Sequence, residues 1–314
     1  MVSARVVYWL VLLLLCQQGA KAVHGIGGSK IRGLFTSLKH RAPQAPTASS
    51  STSGSSTTSS AEEGAGKQGK CRVYGIGKVL LPEDLIYPGT TIRRECAKYG
   101  RLRRNENYSP SCFTRLNLTN ADPDEPGLMS TIRYNEVDKG INRRSVEGTY
   151  KVENNVPLNP KGRTGICGRG HLRRWGPNHI SCFDIRRQIA NDTAQYKQQL
   201  QVKAKLSSGS FVMSVPCDYV DDPDVDPPLK ALRPVVRELI RQNGYQRADS
   251  ILTFMFRRRK LQGKFYRNSR LNTDNAWIEK TIWKVIEYDG YDLGSLDIER
   301  MPDVSWKIID VKPI

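Results

Sequence analysis

The sequence predicts a mixed α-β fold, a mixed β-sheet covered by helices, with a disulfide-rich region on its N-terminal side. Three observations lead there. Strand-like and helix-like segments interleave from residue 197 onward, the pattern of a sheet that helices cover. Residues 42–69 hold no aromatic or bulky apolar side chain, so that tract cannot bury a core. Six cysteines lie downstream of it, three of them between residues 71 and 112, where apolar runs are few.

The elements follow in chain order. Arg5 precedes the apolar run Val6 to Cys16, and Ala20-Lys21-Ala22 then supplies a small-x-small cleavage pattern. Residues 1–22 therefore read as a signal peptide cut after Ala22, and the run is too short for a membrane span. The mature protein is expected to be secreted and extracellular. Residues 23–70 form a disordered, Ser/Thr-rich segment. Residues 71–130 form a cysteine-containing N-terminal region punctuated by Pro82, Pro88-Gly89 and Pro123 to Gly127, with a short strand at Val79 to Leu81. Another short strand is expected at Ile132 to Tyr134, at the start of a second domain spanning 131–314.

Gln199 to Leu206 alternates polar and apolar residues as a strand does, and Phe211 to Val215 is a second strand candidate. Leu229, Leu232, Val236, Leu239 and Ile240 recur at helical spacing. Pro234 belongs to a first turn and Asn243-Gly244 to a stop, which places a helix at about 233–243 and leaves 246–262 for another. Ala276 to Tyr288 and Val304 to Val311 complete the strands.

With a formal net charge of +18, the chain favours anionic partners: nucleotides, polyanionic glycans, nucleic acid or an acidic matrix. Cys71, Cys96, Cys112, Cys167, Cys182 and Cys217 survive removal of the leader; an even count in an exported chain suggests up to three disulfides and leaves the pairing open. No CxxC pair or Cys/His spacing points to zinc. Asn107, Asn117 and Asn191 head N-x-S/T tripeptides, so the mature form is a candidate glycoprotein. Arg101 to Arg104 fits the R-x-R-R pattern of convertase cleavage and also reads as a solvated basic loop.

Two ordered motifs are more specific. Asn159-Pro-Lys-Gly-Arg-Thr-Gly165 is followed by Gly168-Arg-Gly170 and Arg174-Trp-Gly-Pro-Asn-His179; far downstream stands Asn272-Thr-Asp-Asn-Ala-Trp277. Together with Glu147 to Glu153 and Ser305 to Asp310, they resemble the mitochondrial-type ADP-ribose pyrophosphatases of the Nudix superfamily. They equally resemble the related domain at the tail of the melastatin-type channel gated by ADP-ribose. The resemblance implies a Nudix-like fold over 131–314. It also implies a ligand site drawn from Arg163, Gly165, Arg169, Gly170, Trp175, Asn178, His179, Asp274, Asn275 and Trp277. Chemically, glycines let backbone N–H groups approach phosphate, guanidinium groups pair with it, and Trp175 and Trp277 could stack on a base. The competing reading makes the glycines turns and the tryptophans core.

The resemblance breaks at the catalytic box. Active members place several glutamates on one helix face to hold Mg²⁺, which neutralises the pyrophosphate and activates water. Here Arg237-Glu238 keeps the first pair, but Arg241 and Gln242 stand where paired glutamates should be, and Cys217-Asp218 replaces two glycines. A guanidinium in the metal's place adds repulsion. The channel-type, degenerate version is the better match. The leading expectation is a secreted pseudoenzyme that binds ADP-ribose or another anionic ligand, with no metal and no cofactor. One alternative is an active Mg²⁺-dependent ADP-ribose diphosphatase working through Glu238. The other is an extracellular polyanion or matrix binder using Arg101 to Arg104, Arg143-Arg144 and Arg257 to Lys260.

Overall fold

The computed structural model describes residues 71–73, 76–95, 108–190, 194–206, 209–287, 293, 296 and 298–313. The leader with Ala22, the Ser/Thr-rich segment, Cys96, Arg101 to Arg104, Asn107 and Asn191 lie outside the described residues. All described residues belong to one compact unit, so the regions on either side of residue 130 pack together.

Strands β1 (Cys71–Val73) and β2 (Lys78–Leu80) pair antiparallel and lead into a 3-10 turn at Pro82–Leu85. Strand β3 (Cys112–Thr114) and the one-turn helix α1 (Pro126–Met129) follow. Two short antiparallel pairs come next, β4 (Val137–Asp138) with β5 (Ile141–Asn142), and β6 (Val152–Glu153) with β7 (Val156–Pro157). Strand β8 (Cys167–Gly170) runs parallel to β3.

The main sheet has seven strands. They are β9 (Gly176–Ala190), β10 (Ala194–Lys205), β11 (Phe211–Ser214), β12 (Cys217–Val220), β13 (Lys260–Arg267), β14 (Ala276–Glu287) and β15 (Val304–Pro313). The order is β11-β10-β9-β14-β13, with β12 joined to β9 and β15 to β10. All pairs are antiparallel except β9 with β14, so the sheet is mixed, as expected. Helix α2 (Arg233–Arg257) covers it, burying Val235, Val236, Leu239, Ile251, Leu252, Met255 and Phe256; Phe256 meets Phe183 of β9 edge-on at 5.4 Å.

Three differences from the sequence reading stand out. The longest strand, β9, falls on residues read as motif loop, because its polar residues His179, Ser181 and Asp184 are buried and mask the alternation. Ile132 to Tyr134 is turn and coil, not strand. Helix α2 breaks at Gly244 (φ 74°), where the stop was expected, but its second arm ends at Arg257 and β13 begins at Lys260. There, pairing with β14 prevails over the helical spacing read for 246–262.

Two disulfides lie among the described residues, in the ordered part of the chain. Cys112–Cys167 ties β3 to β8, linking the N-terminal region to the motif loop, and Cys182–Cys217 joins β9 to β12 inside the main sheet. No described helix is long and apolar enough to cross a membrane.

Candidate ligand-binding site

The two motifs meet because each opens one of two neighbouring parallel strands. Trp175 precedes β9 and Asn272 to Asn275 precedes β14; the register sets Gly176 opposite Ala276, and the Gly176 N–H donates to the Asn275 carbonyl at 2.8 Å. Side chains then lock the junction. Asn275 accepts from the Gly168 N–H (2.8 Å) and donates to the Pro157 carbonyl (3.0 Å). Asp274 accepts from the Thr164 N–H and hydroxyl (2.5 and 2.8 Å) and from the Tyr108 hydroxyl (2.5 Å). Burial raises the Asp274 pKa against these donors.

Most residues nominated for ligand contact are spent on structure. Arg169, 1% exposed, makes a two-point ion pair with Asp124 (3.1 and 2.8 Å) and donates to the Leu172 carbonyl. Asn178 braces its own loop, accepting from Arg173 and Arg174 and donating to the carbonyls of Arg174 and Gly176. Trp175 is buried, its indole donating to the Pro123 carbonyl at 3.0 Å. Trp277 is fully buried, edge-on to Tyr150, and donates to Glu279 at 2.8 Å. His179 donates through Nε2 to the Asn142 carbonyl (2.9 Å), and burial lowers its pKa despite Glu279 nearby. A phosphate could reach Arg169 only by displacing Asp124.

The N-terminal region lies directly over these motifs. Gly165 (φ 81°) has the backbone of Glu95 against its α-carbon, where any side chain would collide, and the Glu95 N–H donates to its carbonyl. Gly170 sits beneath the Tyr87 hydroxyl, which donates to the Leu271 carbonyl. The buried Arg94 guanidinium donates to the carbonyls of Thr164, Arg270 and Asn272. Arg163 alone among the nominated arginines stays half-exposed, stacked 4.0 Å over the Tyr108 ring.

A different set of residues forms a partly open cationic patch around the buried Ile180. Across four strands the register aligns Tyr219 of β12, Ile180 of β9, Lys280 of β14 and Phe265 of β13 in one row. Arg267 lies two residues beyond Phe265, on the same face of the sheet. Tyr219 and Phe265 are about four-tenths exposed (41% and 43%). Burial raises the Tyr219 pKa, and Arg267 and Arg173 oppose that rise, which puts both guanidinium groups within Coulomb reach of the phenol. Burial, then Arg267, lowers the Lys280 pKa. Aromatic faces flanked by cations suit a planar base or sugar carrying phosphate. Sequence reading missed this surface because the helix expected over 246–262 took in the first three residues of β13 and the rest of that strand was assigned no element.

Glu238, the glutamate that the sequence reading kept from the catalytic box, is engaged by its own helix at the surface. The Glu238 carboxylate accepts from the Arg241 guanidinium (2.6 and 2.9 Å) and from the Gln242 amide (2.6 Å). The Arg241 hydrogen bonds come first among the forces that pull its pKa to about 2. The acidic run is equally engaged: Asp221 pairs with Arg174, Asp222 accepts from the Asp224 N–H, Asp224 pairs with Lys264, and Asp226 accepts from the Asp222 N–H. Among the described residues no group of three His, Cys, Asp or Glu is arranged to hold a metal ion. This donor set does not fit the Mg²⁺ of active Nudix enzymes.

Residues 103–176 match the family model described as the NUDT9-like, N-terminal domain, which begins upstream of the boundary expected at 131. The mitochondrial ADP-ribose pyrophosphatase of Rattus norvegicus is 28% identical over 70% of this chain and 69% of its own length. The transient receptor potential cation channel subfamily M member 2 of Mus musculus is 30% identical over 73% of this chain but only 15% of the channel. A solved mutT/nudix family protein from Listeria innocua aligns over 42% of this chain and 78% of its own, with 14% identity and a TM-score of 0.25, too low to carry an argument. With its mixed sheet and its two joined motifs, the chain is a Nudix-like relative of the ADP-ribose pyrophosphatases and of the melastatin-type channel domain.

Proposed function

We propose that the protein works outside the cell as a non-hydrolytic binder of ADP-ribose or a related anionic nucleotide. The observation that carries this reading is the clamp on Glu238: the carboxylate an active relative would offer to a metal is neutralised by Arg241 and Gln242 on its own helix. The relative named for ADP-ribose chemistry supports the ligand class. Tyr219, Phe265, Arg267, Lys280 and Arg163 are the groups best placed to receive it. The leader-like N-terminus supports export.

Isothermal titration with ADP-ribose tests the binding. Saturable heat is expected, weakened about tenfold by Arg267→Glu through loss of a charge-assisted contact. A parallel incubation with Mg²⁺ should release no AMP or ribose 5-phosphate. Release that disappears in Glu238→Gln would overturn the pseudoenzyme reading. Heparin binding that falls steeply with salt, without any ADP-ribose heat, would favour the polyanion alternative.

A further inference from the structure

Strand β15 ends the main sheet on one side, and among the described residues it pairs with β10 alone. Its outer edge is unusual for a free one. Proteins guard such edges with short strands, prolines or inward-pointing charges. Here Val304 to Lys312 runs without proline, and Ile308, Ile309 and Val311 are 51%, 38% and 51% exposed. The charges of β13, at the opposite end of the sheet, are all cations, Lys260, Lys264 and Arg267, whereas β15 carries both signs, Lys307, Asp310 and Lys312.

The register against β10 contains one irregularity. Gln198 faces Ile308 and Lys197 faces Asp310, so Ile309 is an extra residue, a bulge between Lys307 and Asp310. The bulge has a geometric consequence. In a regular antiparallel pair related by a two-fold axis, each residue must face a residue of the same parity, because backbone groups point alternately toward and away from the neighbour. An extra residue reverses that alternation. A two-fold axis through the bulge then sets Lys307 opposite Asp310, Trp306 opposite Val311 and Ser305 opposite Lys312 of a second copy.

The side-chain faces agree. Trp306, Ile308 and Val311 share one face, following their partners Leu200, Gln198 and Tyr196, while Lys307 and Asp310 share the other, following Gln199 and Lys197. The Lys307–Asp310 pair would occur twice per dimer, and so would the Trp306–Val311 pair. Asp310 already accepts Lys197 at 3.2 Å, so it would sit between two cations.

We infer that β15 is a homodimer edge: two copies join antiparallel along this strand, centred on the Ile308–Ile309 bulge, into one continuous sheet. The self-complementary charges single out a second copy of this chain as the occupant.

Sedimentation equilibrium on the disulfide-intact protein tests this. Wild type should show a concentration-dependent monomer–dimer equilibrium. Lys307→Asp alone and Asp310→Lys alone each place like charges opposite one another twice, and each should weaken association about tenfold. The combined swap Lys307→Asp/Asp310→Lys restores both pairs and should restore the dimer, with circular dichroism showing all variants folded. A monomeric wild type, or a dimer indifferent to both single reversals, would overturn the proposal.

Discussion

Glu238 shows how one side chain can lose a chemical role while keeping its position. Its pKa of about 2 lies below the ordinary 4.5, so the folded state holds the anion more tightly than the unfolded chain. The clamp is therefore complete above about pH 4.5 and is lost as pH falls toward 2. In Arg241→Glu/Gln242→Glu three carboxylates would share one helix face at i, i+3 and i+4. Electron spin resonance should then detect Mn²⁺ binding that wild type lacks; a silent double variant would mean that the missing ligands are not the whole cause. Asp122 is the structural counterpart. It is 5% exposed and accepts from Arg143 (2.7 and 2.9 Å), Arg174 (3.0 Å) and the Trp175 N–H. Burial opposes its charge, but the two guanidinium groups outweigh that and lower its pKa. Its contribution is present above the ordinary 3.8 and fades as pH falls. Asp122→Ala would leave the buried Arg143 with only Asp138, at 3.6 Å, while Arg174 keeps Asp221, and urea unfolding should show a loss of about 3 kcal/mol.

Among the elements, β3 and β8 form a two-strand pair too small to persist alone. Their disulfide closes a 55-residue separation, for which chain entropy gives about 4 kcal/mol. Cys112→Ser/Cys167→Ser should lower the urea midpoint accordingly, and an unchanged midpoint would show that the hydrogen bonds of Arg94, Tyr87 and Tyr108 suffice. At this scale the sequence was uneven in what it disclosed. Strand β10 was legible because its apolar residues alternate, β11, β14 and β15 because they are short runs rich in apolar and β-branched residues, and α2 because Pro234 and Gly244 mark its start and break. Strand β9 was not legible, since it buries His179, Ser181 and Asp184 among apolar neighbours and reads as neither period. The motifs were visible as motifs, yet spacing alone could not tell a ligand contact from a brace. Arg169 and Asn178 have the composition of phosphate binders and the bonding of girders. The cationic surface was hidden for a plainer reason: Tyr219, Arg267 and Lys280 stand on three different strands and meet only through cross-strand register.

Across the molecule, the N-terminal region and the sheet share one hydrogen-bond system. Arg94, Tyr108, Asp122 and Asp124 all bond residues of the two motifs, and Tyr87 bonds Leu271, next to the second. A chain beginning at Tyr108 would leave the carbonyls of Thr164, Leu271 and Asn272 without these donors. It should melt lower than the full mature chain and bind more of a hydrophobic dye, as calorimetry and dye fluorescence would report.

Arg94 also bears on what would follow if the backbone were severed between Glu95 and Tyr108. The guanidinium is anchored to carbonyls at positions 164, 270 and 272, all on the far side of such a cut. A nick there would leave two polypeptides behaving as a single particle in native solution, separating into two bands only once unfolded. Processing in that interval would therefore not shed the upstream piece.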